Sequence, residues 1–181
     1  MLNTNIIHTP TGREEAWRFT PLAKLKGLHD GSARVGDEHS LSAKQIPAGI
    51  TFERVATDIH ETNSDDAIVQ RVVGSKSIAK LVIDGEHESP VILGRNTISQ
   101  AEYSRVQVVV KKFAKATLII ENTGNCLIAE DLELILEPGS NLTFVTLQEF
   151  DNDAVYAARH HAIVDRDATF KSITVTIGGL S

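Results

Sequence analysis

Apolar and acidic residues alternate in the second half of the chain. Leu132, Leu134 and Leu136 fall on one face, Asp131, Glu133 and Glu137 on the other, and only Ile135 interrupts the polar side. A period of two belongs to a half-buried β-strand, so the leucines are assigned to the core. Strands are predicted by the same signal over 105–110, 116–121, 127–136, 141–148, 154–164 and 168–177, where the branched side chains of Val, Ile and Thr suit a pleated surface. In the last of these, Ile173, Val175 and Ile177 oppose Ser172, Thr174 and Thr176, while Phe170 falls on the threonine side. That mismatch predicts a bulge or bend between Phe170 and Ile173.

The first half is less regular. Thr11 or Gly12 can open a short helix with Glu14 and Glu15 at the positive end of its dipole, and Thr20 ahead of Pro21 should be extended. Gly27, Asp30, Gly31 and Ser32 begin a polar stretch that reads as loop or linker to about Ser42. A strand from Ile50 to Ile59 follows the turn signal Pro47-Ala48-Gly49. Ser64-Asp65-Asp66 and Gly74 bracket a helix over 65–73, with Ile68, Val69, Val72 and Val73 on its apolar side. Residues 79–84 and 90–93 read as two short strands flanking Asp84-Gly85.

Between the later strands one short phrase recurs: Lys115-Ala116-Thr117-Leu118, Gly139-Ser140-Asn141-Leu142 and Asp167-Ala168-Thr169-Phe170. Ala116 to Ser140 is 24 residues and Ser140 to Ala168 is 28, a spacing typical of stacked supersecondary units. Such units bury their apolar faces against each other, and the end rungs need covering. An antiparallel sandwich would show the same alternation. The absence of Asn-Gly hairpin signals and the recurrence of the small-residue corner favour a mainly β fold, a parallel β-helix of stacked rungs. The division expected is an N-terminal segment over 1–42 and a β-helix core over 43–181.

Composition narrows the function classes. Hydrophobic residues make up 41% and charged residues 23%, a globular balance. Lys and Arg number 18 against 24 Asp and Glu, a net charge of -6, which opposes a nucleic-acid backbone. No apolar run is long enough for a membrane helix, and Met1 to Gly12 carries no secretion signal. The single cysteine, Cys126, excludes an internal disulfide framework and suits a reducing cytoplasm.

Cys126, His160 and His161 are the candidate metal or cluster ligands, each with a plainer alternative. One thiolate cannot hold an iron-sulfur cluster, and Cys126, after the turn Asn122-Thr123-Gly124-Asn125, reads as a small buried thiol. Adjacent strand residues point to opposite faces, so His160 and His161 cannot ligate one metal together; His160 reads as inward or interfacial and His161 as surface. Asp151, Asp153, Asp165 and Asp167 form the main acidic grouping. Several carboxylates together can hold calcium, as in sugar-active β-helix enzymes, but Asp167 also fits a polar corner before Ala168. Trp17 reads as an anchor of the N-terminal segment onto the first rung. Gly178-Gly179 is not a phosphate loop, since no strand-loop-helix unit surrounds it.

Two segments resemble the SufB/SufD family of iron-sulfur cluster assembly scaffolds. Gly12-Arg13-Glu14-Glu15-Ala16-Trp17-Arg18-Phe19-Thr20-Pro21-Leu22 is similar to the Trp-(Arg/Lys)-aromatic-Thr-Pro-Leu signature of its SufD branch, and Gly27-Leu28-His29-Asp30-Gly31-Ser32-Ala33 to the actinobacterial form. The run from Arg159 to Phe170, followed by Ile177-Gly178-Gly179-Leu180-Ser181, resembles the family core. The resemblance implies a right-handed parallel β-helix that pairs with a SufB paralogue and is driven by the SufC ATPase. It implies no catalytic residue and no cofactor bound by this chain, the cluster being handled by the full complex. Family members continue beyond this core through further rungs to an ATPase-contacting helical segment, so the chain is expected to be truncated. Self-association through its C-terminal strand is expected. A polysaccharide-active or carbohydrate-binding β-helix protein is the rival reading.

Overall fold

Parallel pairing between strands two apart in sequence organises the computed structural model, which describes residues 7–36, 39–57, 64–75, 77–96, 98 and 100–178. Its strands are β1 (Ser42–Gln45), β2 (Thr51–Ala56), β3 (Ser77–Ile83), β4 (Val91–Arg95), β5 (Glu102–Val110), β6 (Lys115–Gly124), β7 (Leu127–Leu136), β8 (Asn141–Phe150), β9 (Val155–Val164) and β10 (Thr169–Gly178). They form two sheets, ordered β1-β4-β6-β8-β10 and β2-β3-β5-β7-β9. From β3 onward the chain alternates between the sheets, each strand pairing parallel to the one a turn earlier. The result is a β-solenoid of about 4 turns. The stacked fold expected from the repeats is present.

The phase of the repeats needs one correction. Lys115 stands beside Asn141 and Asn141 beside Thr169, steps of 26 and 28 residues. The counterpart of Gly139-Ser140-Asn141-Leu142 is therefore Phe113-Ala114-Lys115-Ala116, two residues ahead of the phrase chosen from the sequence. What the corners share is backbone geometry: Phe113, Gly139 and Asp167 all have left-handed φ, at 61°, 72° and 59°. Each is the third residue of a turn closed by the same bond, Ala114 N to Lys111 O, Ser140 N to Glu137 O and Ala168 N to Asp165 O. At the middle corner a Cβ would lie 2.5 Å from the Phe113 ring, so any residue larger than glycine would push that ring aside. The bulk of Phe113 hid the corner from a search for small residues.

Inside, the sheets share a core that includes Leu81, Ile83, Val91, Leu93, Val106, Val108, Leu118, Ile120, Leu132, Leu134, Leu136, Leu142 and Phe144, all buried. The predicted leucine face of β7 is inward. On β10 the expected bulge is absent, since its register against β8 runs unbroken from Thr169 beside Asn141 to Gly178 beside Phe150. Phe170 packs on the core, and the threonines share its inward face: Thr146 Oγ1 donates to Thr174 Oγ1 at 3.0 Å and Thr176 Oγ1 to Gln148 Oε1 at 2.9 Å. Ile173, Val175 and Ile177 instead face solvent.

The first turn is covered by β1 and β2, which run antiparallel to β4 and β3. β1 lies where the polar stretch ends, and β2 is shorter than predicted, its expected tail at residues 58 and 59 falling outside the described residues. Helix α1 (Ala67–Val73) is capped by Asp66, whose carboxylate accepts from Ile68 N at 2.8 Å and Val69 N at 3.0 Å. It lies outside β5 and β7, where Leu28, Ile68, Val72, Ala101 and Ala129 form a second apolar cluster. Trp17 packs against that cluster on the outer side of the sheet, and so does not sit on the first rung. The helix expected from Thr11 does not form. Glu14 turns its carboxylate back to Thr11 N, and the chain makes only short 3-10 turns at Glu15–Trp17 and Leu22–Leu25.

Candidate functional site

Inside the solenoid, the inward face of several strands changes from apolar to polar near one edge. Arg95 is in phase with Val91 and Leu93, Glu130 with Leu132 and Leu134, and Asn122 with Leu118 and Ile120, and all three are buried. Arg95 is the hub. Its Nη1 donates to Asn122 Oδ1 at 3.1 Å, and its Nη2 donates to Ser104 Oγ at 2.8 Å and pairs with Glu130 Oε2. The other Glu130 oxygen accepts from the Tyr156 hydroxyl at 2.5 Å and faces His160 Nε2 at 3.7 Å. The His160 ring stands edge-on to Phe144, with centroids 5.5 Å apart. The network links β4, β5, β6, β7 and β9, so successive turns are joined by charge as well as by packing.

The electrostatics hold Arg95, Glu130 and Tyr156 each in one state. Burial opposes the charge on Glu130, but Arg95, with His160 and Tyr156, outweighs it and pulls the carboxyl down to about 2. Burial likewise opposes charge on Arg95, and Glu130, Tyr156 and Glu102 together reverse that effect and raise its pKa. Tyr156 is pushed well above its ordinary value by burial and by Glu130. Near neutrality Arg95 and Glu130 form a fixed ion pair, with neither poised to exchange a proton, whereas a general acid or base needs a pKa near the working pH. The arrangement is suited to positioning charge.

Cys126 is buried at the start of β7, its thiol toward Val155 O at 3.7 Å. Burial pushes the thiol up to about 11, far from the thiolate that binds metal or attacks as a nucleophile. His160 points inward and His161 outward, on opposite faces of β9, and both are exposed. Asp151 and Asp153 lie ahead of β9 and Asp165 and Asp167 after it. A ten-residue strand spans about 33 Å, so the acidic grouping is two separate corners and cannot close on one calcium ion. Among the described residues no group of three His, Cys, Asp or Glu side chains could hold a metal ion. Among the described residues no helix is long and apolar enough to cross a membrane.

Arg95, Glu130, Asn122 and Tyr156 were not singled out from the sequence. The available signal was phase: a charged residue at the leucine positions of a strand, as with Glu130 ahead of Leu132 and Arg95 after Leu93. Their pairing joins strands 35 residues apart, which periodicity does not report.

Residues 92–181 match the family described as SUF system FeS cluster assembly, SufBD core domain. An iron-sulfur cluster assembly SufBD family protein of Mycobacterium leprae is 31% identical over 196 residues, covering 98% of this chain and 47% of the relative. Proteins of the same description from Mycobacterium bovis and Mycobacterium tuberculosis are 27% identical over 186 residues, with the same coverage. The chain spans about half the length of the curated relatives it matches. No solved structure matches it significantly.

Proposed function

With residues 92–181 belonging to the SufBD core-domain family of iron-sulfur cluster assembly, we propose that the chain is a non-catalytic scaffold of that machinery. It is of the SufD type, cytoplasmic, pairs with a SufB paralogue and works within a complex driven by the SufC ATPase. The observation that carries this reading is the family match over β4 to β10, the turns whose interior is built around the Arg95 and Glu130 ion pair. The Trp17 to Leu22 segment supports the SufD branch. A coil whose buried Arg95 and Glu130 pair stays charged near neutrality contributes shape and placement. Self-association through the side of β10 left unpaired among the described residues belongs to the same reading.

The test is co-expression with the SufB and SufC proteins of the same organism, followed by affinity purification on this chain. Co-purification of SufB is expected, while the chain alone should neither hydrolyse ATP nor hold a stoichiometric cluster after reconstitution. A reconstituted cluster that survives Cys126→Ala but is lost in His160→Ala would overturn the scaffold reading. Calcium-dependent binding of a polysaccharide would support the carbohydrate-directed alternative.

A further inference from the structure

On the outside of the coil one segment reaches across successive turns. Residues 7–33 lie over the outer face of β5, β7 and β9, where Trp17, Leu25 and Ala33 pack with Leu127, Val155 and Ala157 around the second apolar cluster. A turn of a solenoid otherwise meets only its neighbours. The segment is joined to the sheets lightly. Among the described residues its backbone hydrogen bonds all close within it, such as Trp17 N to Glu14 O, Leu28 N to Leu25 O, and both Gly31 N and Ala33 N to Gly27 O. Asp30 adds a local clasp, its carboxylate accepting from Ser32 N at 2.9 Å. Only Pro10 and Leu28 are buried along its length. Internal bonding lets a stretch move as a unit, and few buried apolar groups let it open at low cost.

The attachments divide into a hinge and a set of latches. At the hinge Val35 bridges Ala101, with Gly36 N donating to Ala101 O and Ala101 N to Arg34 O, both at 3.0 Å. The latches are the buried Leu28 side chain and four side-chain hydrogen bonds. Tyr103 Oη donates to Leu28 O at 2.9 Å, Arg71 Nε to His29 O at 3.2 Å and Arg71 Nη2 to Thr9 Oγ1 at 3.4 Å. Lys26 Nζ donates to Asp153 O at 2.7 Å, in the corner between β8 and β9. We propose that residues 7–33 form a strap, hinged where Val35 meets Ala101, that opens as a unit while the coil stays folded. Opening frees the corner ahead of β9 and bares the outer strip of Tyr103, Leu127, Val155 and Ala157; closure couples the N-terminal segment to that corner. This does not rest on the assembly role.

Trp17 is the chain's single tryptophan, so its fluorescence reports the strap while far-UV circular dichroism reports the coil. In a urea titration of the full chain the fluorescence should change ahead of the circular dichroism and with a shallower slope, because opening the strap exposes less surface than unfolding the coil. Amides of Trp17, Leu28 and Ala33 should exchange their hydrogens by local opening. Tyr103→Phe removes one latch, and should speed exchange at those amides about fivefold and also speed it at Val155, beside the Lys26 latch, with β6 unchanged. Leu28→Ala should speed strap exchange about thirtyfold or more and keep the circular dichroism midpoint. Coincident urea transitions of equal slope, exchange in Tyr103→Phe that is unmoved at Val155 or raised equally in β6, or loss of the folded coil in Leu28→Ala would overturn the proposal.

Discussion

The two ends of the solenoid solve the same problem differently. At one end β1 and β2 run antiparallel to their neighbours, are four and six residues long, and are exposed along most of their length with Lys44, Glu53 and Arg54 among their side chains. At the other end β9 and β10 keep the parallel direction, are ten residues long and pair on one side only among the described residues. There Ile163, Val164, Ile173, Val175 and Ile177 are exposed. Short, charged and reversed strands are how proteins blunt a sheet edge; long apolar parallel ones leave the edge ready to pair. Among the described residues the β1 and β2 edge is therefore blunted while one side of β9 and of β10 is left unpaired, and the interior hub lies between.

The largest effect should come from the hub. Glu130→Ala leaves Arg95 charged and buried without its partner, and should cost about 3–5 kcal/mol by urea unfolding. The double variant Glu130→Leu with Arg95→Met should recover most of that loss, because two apolar side chains remove the desolvation penalty with the pair. Acid unfolding tests the same contact. The folded carboxyl titrates at about 2 against an ordinary 4.5, so the folded state takes up its proton less readily than the unfolded chain. Its stabilisation is complete above the unfolded pKa and is lost as pH falls through the folded one. Glu130→Gln should flatten the acid limb of the stability curve in that window, and an unchanged limb would show that the ion pair is not what ties the turns together.

A direct contrast between interior and exposed end comes next. Leu118 is fully buried on β6, so Leu118→Ala should cost about 2–5 kcal/mol. Ile173, on the outer face of β10, is 38% exposed, and Ile173→Ala should cost less than about 1 kcal/mol. Equal costs in denaturant melts would mean that β10 is packed as tightly as the middle turns. Hydrogen exchange should show the same gradient, with amides of β5 to β7 opening only on global unfolding and those of β10 exchanging through local opening.

The parts of this gradient that were legible in the sequence are those in which one face is uniformly apolar. β7 shows its leucines every second residue, and its limits were read as found. β10 was harder because its inward face is Phe170 followed by hydroxyls that satisfy each other, as between Thr146 and Thr174, while its isoleucines point outward. Alternation reports which side is greasy, and equates it with the inside only where the other side is wet. The corner phase was missed for a related reason: left-handed geometry is carried by a phenylalanine, a glycine and an aspartate in turn. Arg95 and Glu130 sit in core phase but find each other through the coil, and β1 hides in a polar stretch because an exposed covering strand has little apolar face to show.

The smallest effect on stability should accompany a large change in assembly. Val175 lies on the free edge strand, 39% exposed, flanked on its face by Ile173 and Ile177. Edge-to-edge pairing of two copies would supply the backbone partners that β10 lacks on one side among the described residues and would shelter these side chains. Lysine at an edge opposes such pairing by charge and by the cost of desolvating its ammonium. Val175→Lys should therefore shift the unfolding free energy by no more than about 0.5 kcal/mol, as exposed substitutions do. Light scattering should show the wild-type chain growing in mass with concentration and the variant staying monomeric. A wild-type monomer at every concentration would mean that local twist guards this edge as effectively as charge and reversal guard the other.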